Sequence, residues 1–375
     1  MNRIYLDNNA TAPMHLESIE AMNAAVAISG NPSAQHADGR KANALISSAR
    51  EKLGLAMGVC AQDVIFTGSG TEADNTAIHS AVKAGCKRLL VSAMDHPATI
   101  IAAQSYEDVT TEIIPANANG QTDMVWLKGE LQSWDAELYG RPFVSITAAN
   151  SETGAVQDCE QATELVRGAN GLILIDAVQA LGKLPMLYQP DYMSVSAHKI
   201  GGPKGVGALY VAANAPFTSL LTGGGQERRR RAGTMNAAGI SGFGAAIDVM
   251  CNLKHTTTLR DNLEAGLKAM ESEIAIFSEG VTRLPNTSFF AVPDVSSMTL
   301  MMALDLEGIS VSTGMACSSG KALASRAITA MGLSEKAPKG AIRVSFGHQN
   351  TESCVDSFLK AWAKIRRKSV FEAAE

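Results

Sequence analysis

The chain has 375 residues, long enough for a large core and more than one domain, and its 46% hydrophobic and 18% charged composition is that of an ordinary globular protein. A net charge of −5 and a pI near 5.9 leave no footprint for bulk nucleic-acid binding. No apolar run approaches a membrane span, and residues 1–7 lack the zones of a signal peptide. The six cysteines (Cys60, Cys86, Cys159, Cys251, Cys317, Cys354) include no Cys-x-x-Cys pair. That argues against a disulfide framework or a metal site and for a reducing, cytoplasmic setting.

In chain order, Asp63 to Phe66 reads as a strand and Thr71 to Lys83 as a helix, with Ala73, Ala77, Ile78, Ala81 and Val82 on one face. Between them lies Thr67-Gly68-Ser69-Gly70-Thr71-Glu72. Glycines let backbone approach an anion, and a helix N-terminus offers free N–H groups and a favourable dipole. Thr71 is expected to cap this helix and lend its hydroxyl to a phosphate. The turn is neither a Walker A loop nor a G-x-G-x-x-G fingerprint, so no nucleotide is implied, and alone it is equally a capped helix.

Further strands are predicted at Arg88 to Ser92, Phe143 to Thr147, Leu172 to Asp176, Tyr192 to Ser196 and Ala208 to Val211. Strands separated by helical patterns argue for an α/β sheet with substantial parallel pairing, whose ligands sit at the strand carboxyl ends. His96 and Asn150 each follow a strand, and Asp176 closes the apolar Leu172-Ile173-Leu174-Ile175. A carboxylate at the mouth of a buried strand needs a cation. A protonated pyridine nitrogen would supply one, and the pairing would make that ring an electron sink. Gln179 is placed to donate to the ring's phenolic oxygen, and His96 to stack on its face. Each residue taken singly is as readily structural; their shared placement gives them meaning.

Ser196-Ala197-His198-Lys199 is followed by Gly201-Gly202-Pro203-Lys204-Gly205-Val206-Gly207. A lysine held there out of bulk water becomes a nucleophilic amine, because desolvation disfavours its charged form. That is what a Schiff base with an aldehyde cofactor requires. Arg228 to Arg231 reads as a solvated or interface segment. Near Asn252 the pattern changes to a helical stretch followed by strands around Ser288 to Val292 and Ile342 to Phe346, which suggests a smaller α+β unit. Cys317 lies among small residues between Gly314 and Gly320, the composition of a loop with an accessible thiol, whereas the other cysteines read as inert core. Lys364 to Lys368 reads as the basic end of a helix.

With these residues in hand, the sequence resembles the pyridoxal-phosphate enzymes of the class-V aminotransferase fold, and among them the cysteine desulfurases of the longer-loop group. The matching motifs run from Tyr5-Leu6-Asp7-Asn8-Asn9-Ala10-Thr11 through Gly70-Thr71-Glu72-Ala73-Asp74-Asn75, Asn150-Ser151-Glu152-Thr153-Gly154 and Asp176-Ala177-Val178-Gln179. They continue through Ser196-Ala197-His198-Lys199, Arg231-Ala232-Gly233-Thr234 and Gly314-Met315-Ala316-Cys317-Ser318-Ser319-Gly320 to Ile342-Arg343-Val344-Ser345-Phe346-Gly347. The resemblance implies a type I pyridoxal-phosphate-dependent transferase fold. Its large domain (15–252) would hold a mainly parallel seven-stranded sheet, and a smaller α+β domain would comprise 1–14 and 253–375.

It further implies pyridoxal 5′-phosphate bound to Lys199, with Asp176 on the pyridine nitrogen, Gln179 on the ring hydroxyl and His96 on the ring face. Gly70, Thr71, Ser196 and His198 would hold the phosphate, and Thr234 the phosphate of a neighbouring subunit, making a homodimer. Arg343, with Asn150, would clamp the substrate carboxylate, the bidentate geometry a guanidinium suits. The implied reaction converts L-cysteine to L-alanine and leaves the sulfur on Cys317 as a persulfide for a protein acceptor, an iron–sulfur scaffold or a sulfur carrier. The alternatives are a selenocysteine lyase and a class-V aminotransferase, and Cys317 argues against the latter. Ser151 stands where many relatives carry asparagine, and the short ending after Val370 weighs against scaffold docking.

Overall fold

The computed structural model describes residues 3–250, 254–314 and 325–372. Strand β1 (Ile4–Tyr5) opens the chain. It is followed by β2 (Val64–Thr67), β3 (Arg88–Ser92), β4 (Thr110–Ile114), β5 (Phe143–Thr147), β6 (Leu172–Asp176), β7 (Tyr192–Ser196) and β8 (Gly207–Val211). These last seven form one sheet in the order β2-β8-β7-β6-β5-β3-β4. All neighbours are parallel except β8, which runs antiparallel to both β2 and β7. The fold is therefore α/β with a mainly parallel seven-stranded sheet.

The wholly buried runs Leu172–Asp176 and Tyr192–Ser196 explain why these strands were legible: both sheet faces are covered, so the strands are apolar throughout. Helices Ala37–Met57, Cys159–Gly168 and Ala237–Asp248 pack on one face through Leu53, Val166 and Phe243, and Gly70–Lys83 packs on the other through Ala73, Ala77 and Ile78. Each fully buried Leu, Ile, Val or Phe side chain contributes about 1.5–3 kcal/mol, and an alanine methyl about 0.8 kcal/mol. β4 escaped the sequence reading because Thr110-Thr111-Glu112 is polar. It is one of the sheet's two edge strands, where Glu112 accepts a hydrogen bond from Arg88 Nε at 2.9 Å. Gly207 lets β8 pass the turn before the Gly70–Lys83 helix, since a Cβ there would lie 2.5 Å from the carbonyl carbon of Ser69.

The remaining strands are β9 (Ala275–Ile276), β10 (Thr287–Val292), β11 (Ile309–Ser310) and β12 (Gly340–Ser345). β10 pairs antiparallel with β9 and β12, and β1 pairs parallel with β11. Their core includes Leu6, Phe290, Phe358 and Trp362, with the Phe290 and Trp362 rings edge to face at 5.6 Å. The basic run at 364–368 is not the end of its helix, which continues from Glu352 to Glu372; Lys364 pairs with Glu307 and Arg366 with Glu271 along its side. No helix among the described residues is long and apolar enough to cross a membrane.

Candidate active site

A cavity of about 560 Å³ opens where strands end: Thr147 of β5, Asp176 of β6, Ser196 of β7, and the turns after β2 and β3 all line it. Because β8 is antiparallel on both sides, β2 runs the same way as β7, and their carboxyl ends meet at one edge.

The turn after β2 leads into helix Gly70–Lys83. Ser69, not Thr71, is the N-cap, accepting from the Glu72 N–H at 3.1 Å, while Glu72 accepts from the Gly68 N–H at 2.8 Å. Serine at the cap and glutamate three residues on each satisfy a backbone donor, the glutamate reaching the residue before the cap in a variant of the capping box. Thr71 therefore sits inside the first turn, lining the cavity with its hydroxyl released from capping. The turn after β3 carries Asp95 and His96. His96 Nδ1 accepts from the Ala98 N–H at 3.1 Å, which puts the neutral ring's proton on Nε2. Burial, together with Lys199 and Arg326, holds that ring below the usual histidine range.

Asp176 is 5% exposed and forms no ion pair among the described residues; Oδ1 accepts from the Val178 N–H at 2.9 Å. Burial pushes its carboxyl up, against the pull of that bond, His96 and Lys199. Lys199 Nζ donates to the carbonyls of Asn9 at 2.7 Å and Ala10 at 2.9 Å. Burial, with Arg343 nearby, lowers it to about 8 against the pull of Asp176 and Asp7. His198 Nδ1 lies 3.2 Å from Thr11 Oγ1, and burial beside Lys199 and Lys204 lowers it to about 4.

Gly70, Thr71, His96, Asn150 and Gln179 line the same cavity as Asp176, Ser196, His198, Lys199 and Arg343. Asn150 is also framework: Oδ1 accepts from the Glu152 and Thr153 N–H groups at 2.9 Å, and Nδ2 donates to Met94 O at 2.9 Å. Arg343 Nη1 donates to Ser151 O at 3.0 Å, while its buried Nε has no partner among the described residues. Thr234 is exposed and does not line the cavity. Cys317 and Cys251 lie outside the described residues. Cys86 and Cys159 are buried as expected, and burial pushes the Cys86 thiol up to about 11; Cys60 is exposed, contrary to its reading as core.

Several lining residues had no role from the sequence. Asp74 is 2% exposed with Oδ1 unpartnered among the described residues, and burial and Asp176 push its carboxyl well up. Asp95 accepts from Ser145 Oγ at 2.7 Å, and burial raises it to about 7. Arg326 adds a second guanidinium. The available signal was a charged residue inside an otherwise apolar or small-residue run.

The family profile of class-V aminotransferases matches residues 4–358. The chain belongs to that family. It is 38% identical over 392 residues to a cysteine desulfurase of Cereibacter sphaeroides, covering 100% of both chains. It is 34% identical to the cysteine desulfurase IscS of Dictyoglomus turgidum, over 97% of this chain and 95% of that one. A solved NifS-like protein from Rickettsia africae superposes with a TM-score of 0.88 at 31% identity, covering 98% of this chain and 100% of the other.

The cofactor of this family is pyridoxal 5′-phosphate, and the residues present fit it. Asp176 is a buried carboxyl without an ion-pair partner among the described residues, as a heterocyclic cation requires. The first turn of the Gly70–Lys83 helix leaves N–H groups for a phosphate beside Thr71, Ser196 and His198. Gly70 keeps that floor open, since a Cβ there would come 2.7 Å from Val178 Cγ2.

Proposed function

We propose that this protein is a pyridoxal-phosphate-dependent cysteine desulfurase that converts L-cysteine to L-alanine. The observation that carries the reading is a lysine lowered to about 8 in one cavity with a buried aspartate and a buried arginine Nε that have no ion-pair or hydrogen-bond partner, respectively, among the described residues. Full-length similarity to curated cysteine desulfurases supports it and gives no preference to the alternatives, a selenocysteine lyase or an aminotransferase.

When bound, the cofactor supplies an aldehyde for amine capture and a ring that draws electron density from the substrate Cα. The residues of the chain do the rest in this reading. Arg343 grips the substrate carboxylate beside Asn150. Lys199, lowered to about 8, holds a neutral fraction at neutral pH and takes the Cα proton. Asp176 stays ionised against the ring cation, Gln179 donates to the ring oxygen, and His96 covers the ring face. Thr71, Ser196 and the neutral His198 hold the phosphate. The Cys317 thiolate attacks the substrate sulfur, so that the S–C bond breaks as an S–S bond forms. Cysteine plus Cys317 thiol becomes alanine plus Cys317 persulfide, with no outside oxidant.

The separate cores around the seven-stranded sheet and around Phe290 and Trp362 support a division into 15–252 and a second unit of 1–14 with 253–375. The exposed Thr234 supports a homodimer in which it meets a neighbour's phosphate. We assign the persulfide to iron–sulfur or related sulfur chemistry through a protein acceptor in the cytoplasm. The test is alanine and persulfide release from L-cysteine, with and without a reductant, beside a Cys317→Ala variant. Both products from the parent and neither from the variant are expected; equal alanine from the variant would overturn the role of Cys317.

A further inference from the structure

Lys183 was given no role by the sequence, yet its Nζ donates to Gln179 Oε1 at 2.8 Å and to Asn9 Oδ1 at 3.4 Å. It does not line the main cavity. It lines a separate space of about 40 Å³ behind it, with Lys199, Asn286 and Phe346. Gln179, 5% exposed, lines the main cavity, and its Nε2 donates to the same Asn9 carbonyl that Lys199 Nζ reaches at 2.7 Å. Gly182, at φ 72°, reverses the chain so that Lys183 follows one turn after Gln179, and the Lys183 N–H closes that turn on Ala180 O at 2.8 Å.

We propose that Lys183 is a positioning residue that fixes the Gln179 carboxamide with its N–H edge, not its oxygen, toward the cavity. The proposal rests on the functional reading above. An ammonium is a donor only, whereas a carboxamide offers an acceptor at one end and donors at the other. Rotating the amide by half a turn would set its N–H₂ against the ammonium and its oxygen against the Asn9 carbonyl, losing both bonds. Of the two N–H groups on Nε2, one is held by Asn9 O and one remains for an acceptor on the ligand. Burial beside Lys199 and Arg343 lowers Lys183 to about 7; below that pH it is the donor-only ammonium, and the Gln179 and Asn9 oxygens face it as acceptors.

The test is the pH midpoint of the visible absorption change of the holoenzyme, in Lys183→Met, Lys183→Arg, Gln179→Ala and the Lys183→Met/Gln179→Ala double variant. A lost donor to the ring oxygen strengthens that oxygen's hold on the imine proton, so Lys183→Met is expected to raise the midpoint by about one pH unit, one charge-assisted hydrogen bond's worth. Lys183→Arg, which keeps a donor-only cation, should restore the parental midpoint. In the Gln179→Ala background, Lys183→Met should add nothing. A full shift in that background would make Lys183 a bare charge and overturn the proposal, as would an unchanged midpoint in Lys183→Met. A Gln179→Ala variant with the parental midpoint overturns the role of Gln179 and this proposal but leaves the desulfurase reading standing. A parent that stays colourless with added pyridoxal 5′-phosphate overturns both.

Discussion

Arg343 Nη2 stands 2.5 Å from Asp7 Oδ1, so the arginine on β12 is tied to the N-terminal segment at the cavity wall before any substrate arrives. Its Nη1 donates one N–H to Ser151 O and its buried Nε has no partner among the described residues, so three of the five guanidinium N–H groups remain for a ligand. The guanidinium is thereby preset in one plane, as a bidentate clamp needs. Arg343→Lys keeps the charge and loses the fork. KM for L-cysteine should rise about 10- to 100-fold, the cost of one or two charge-assisted hydrogen bonds. Steady-state kinetics on the holoenzyme check this, and an unchanged KM would remove Arg343 from substrate binding.

The same aspartate raises the Lys199 amine, which burial and Arg343 lower to about 8. Asp7→Asn removes that raising influence and leaves the lowering ones, so the amine should titrate below 8. Protein stripped of cofactor should then take up added pyridoxal 5′-phosphate faster at pH 7 than the parent does. In the parent, uptake should climb with pH and level off above about 8, as the neutral amine fraction saturates. Stopped-flow absorbance across pH reads both effects; a flat parental profile would contradict a Lys199 nucleophile.

Gly207 carries fold and site together. A methyl there would meet the Ser69 backbone at 2.5 Å, pushing the phosphate-side turn away from β8. Gly207→Ala should cost about 1–3 kcal/mol of stability through overpacking and should weaken cofactor retention as well. Denaturant melts and cofactor dissociation measure the two separately, and a variant that loses neither shows that the turn gives way freely.

Ser325 caps helix Arg326–Ala330 by accepting from the Ile328 N–H at 3.1 Å, and its hydroxyl donates to Glu152. Glu152 also lies against Gly314, where a Cβ would approach its Oε2 at 2.8 Å. Ser325→Ala should cost about 2–4 kcal/mol, the sum of a lost cap and a buried carboxyl deprived of a donor. Burial already raises Glu152, and Ser325 opposes that rise. Losing Ser325 should therefore make the melting temperature fall further at pH 8 than at pH 5, where the carboxyl is more easily neutral. Equal losses at both pH values would mean that the cap alone is at stake.

The sequence by itself determined the central sheet and most of the cavity. The strands at 88–92, 143–147, 172–176 and 192–196 are buried on both faces, so their apolar runs announce them, and His96, Asn150, Asp176 and Lys199 lie at or just beyond their carboxyl ends. Tertiary structure alone decided what depends on distant partners. β4 is polar and exists as a strand because β3 offers an open edge. Ser69 displaces Thr71 as the cap because the helix begins at Gly70, three residues before the apolar pattern starts at Ala73. The Asp7–Arg343 pair, the Lys183–Gln179 bond and the Lys199 contacts to Asn9 and Ala10 span 336, 4 and 190 or 189 residues. Only the close one is even local, and it too requires Gly182 to turn the chain back. A local pattern records which side chains leave water; which charges meet there is set by how the N-terminal segment crosses the strand ends.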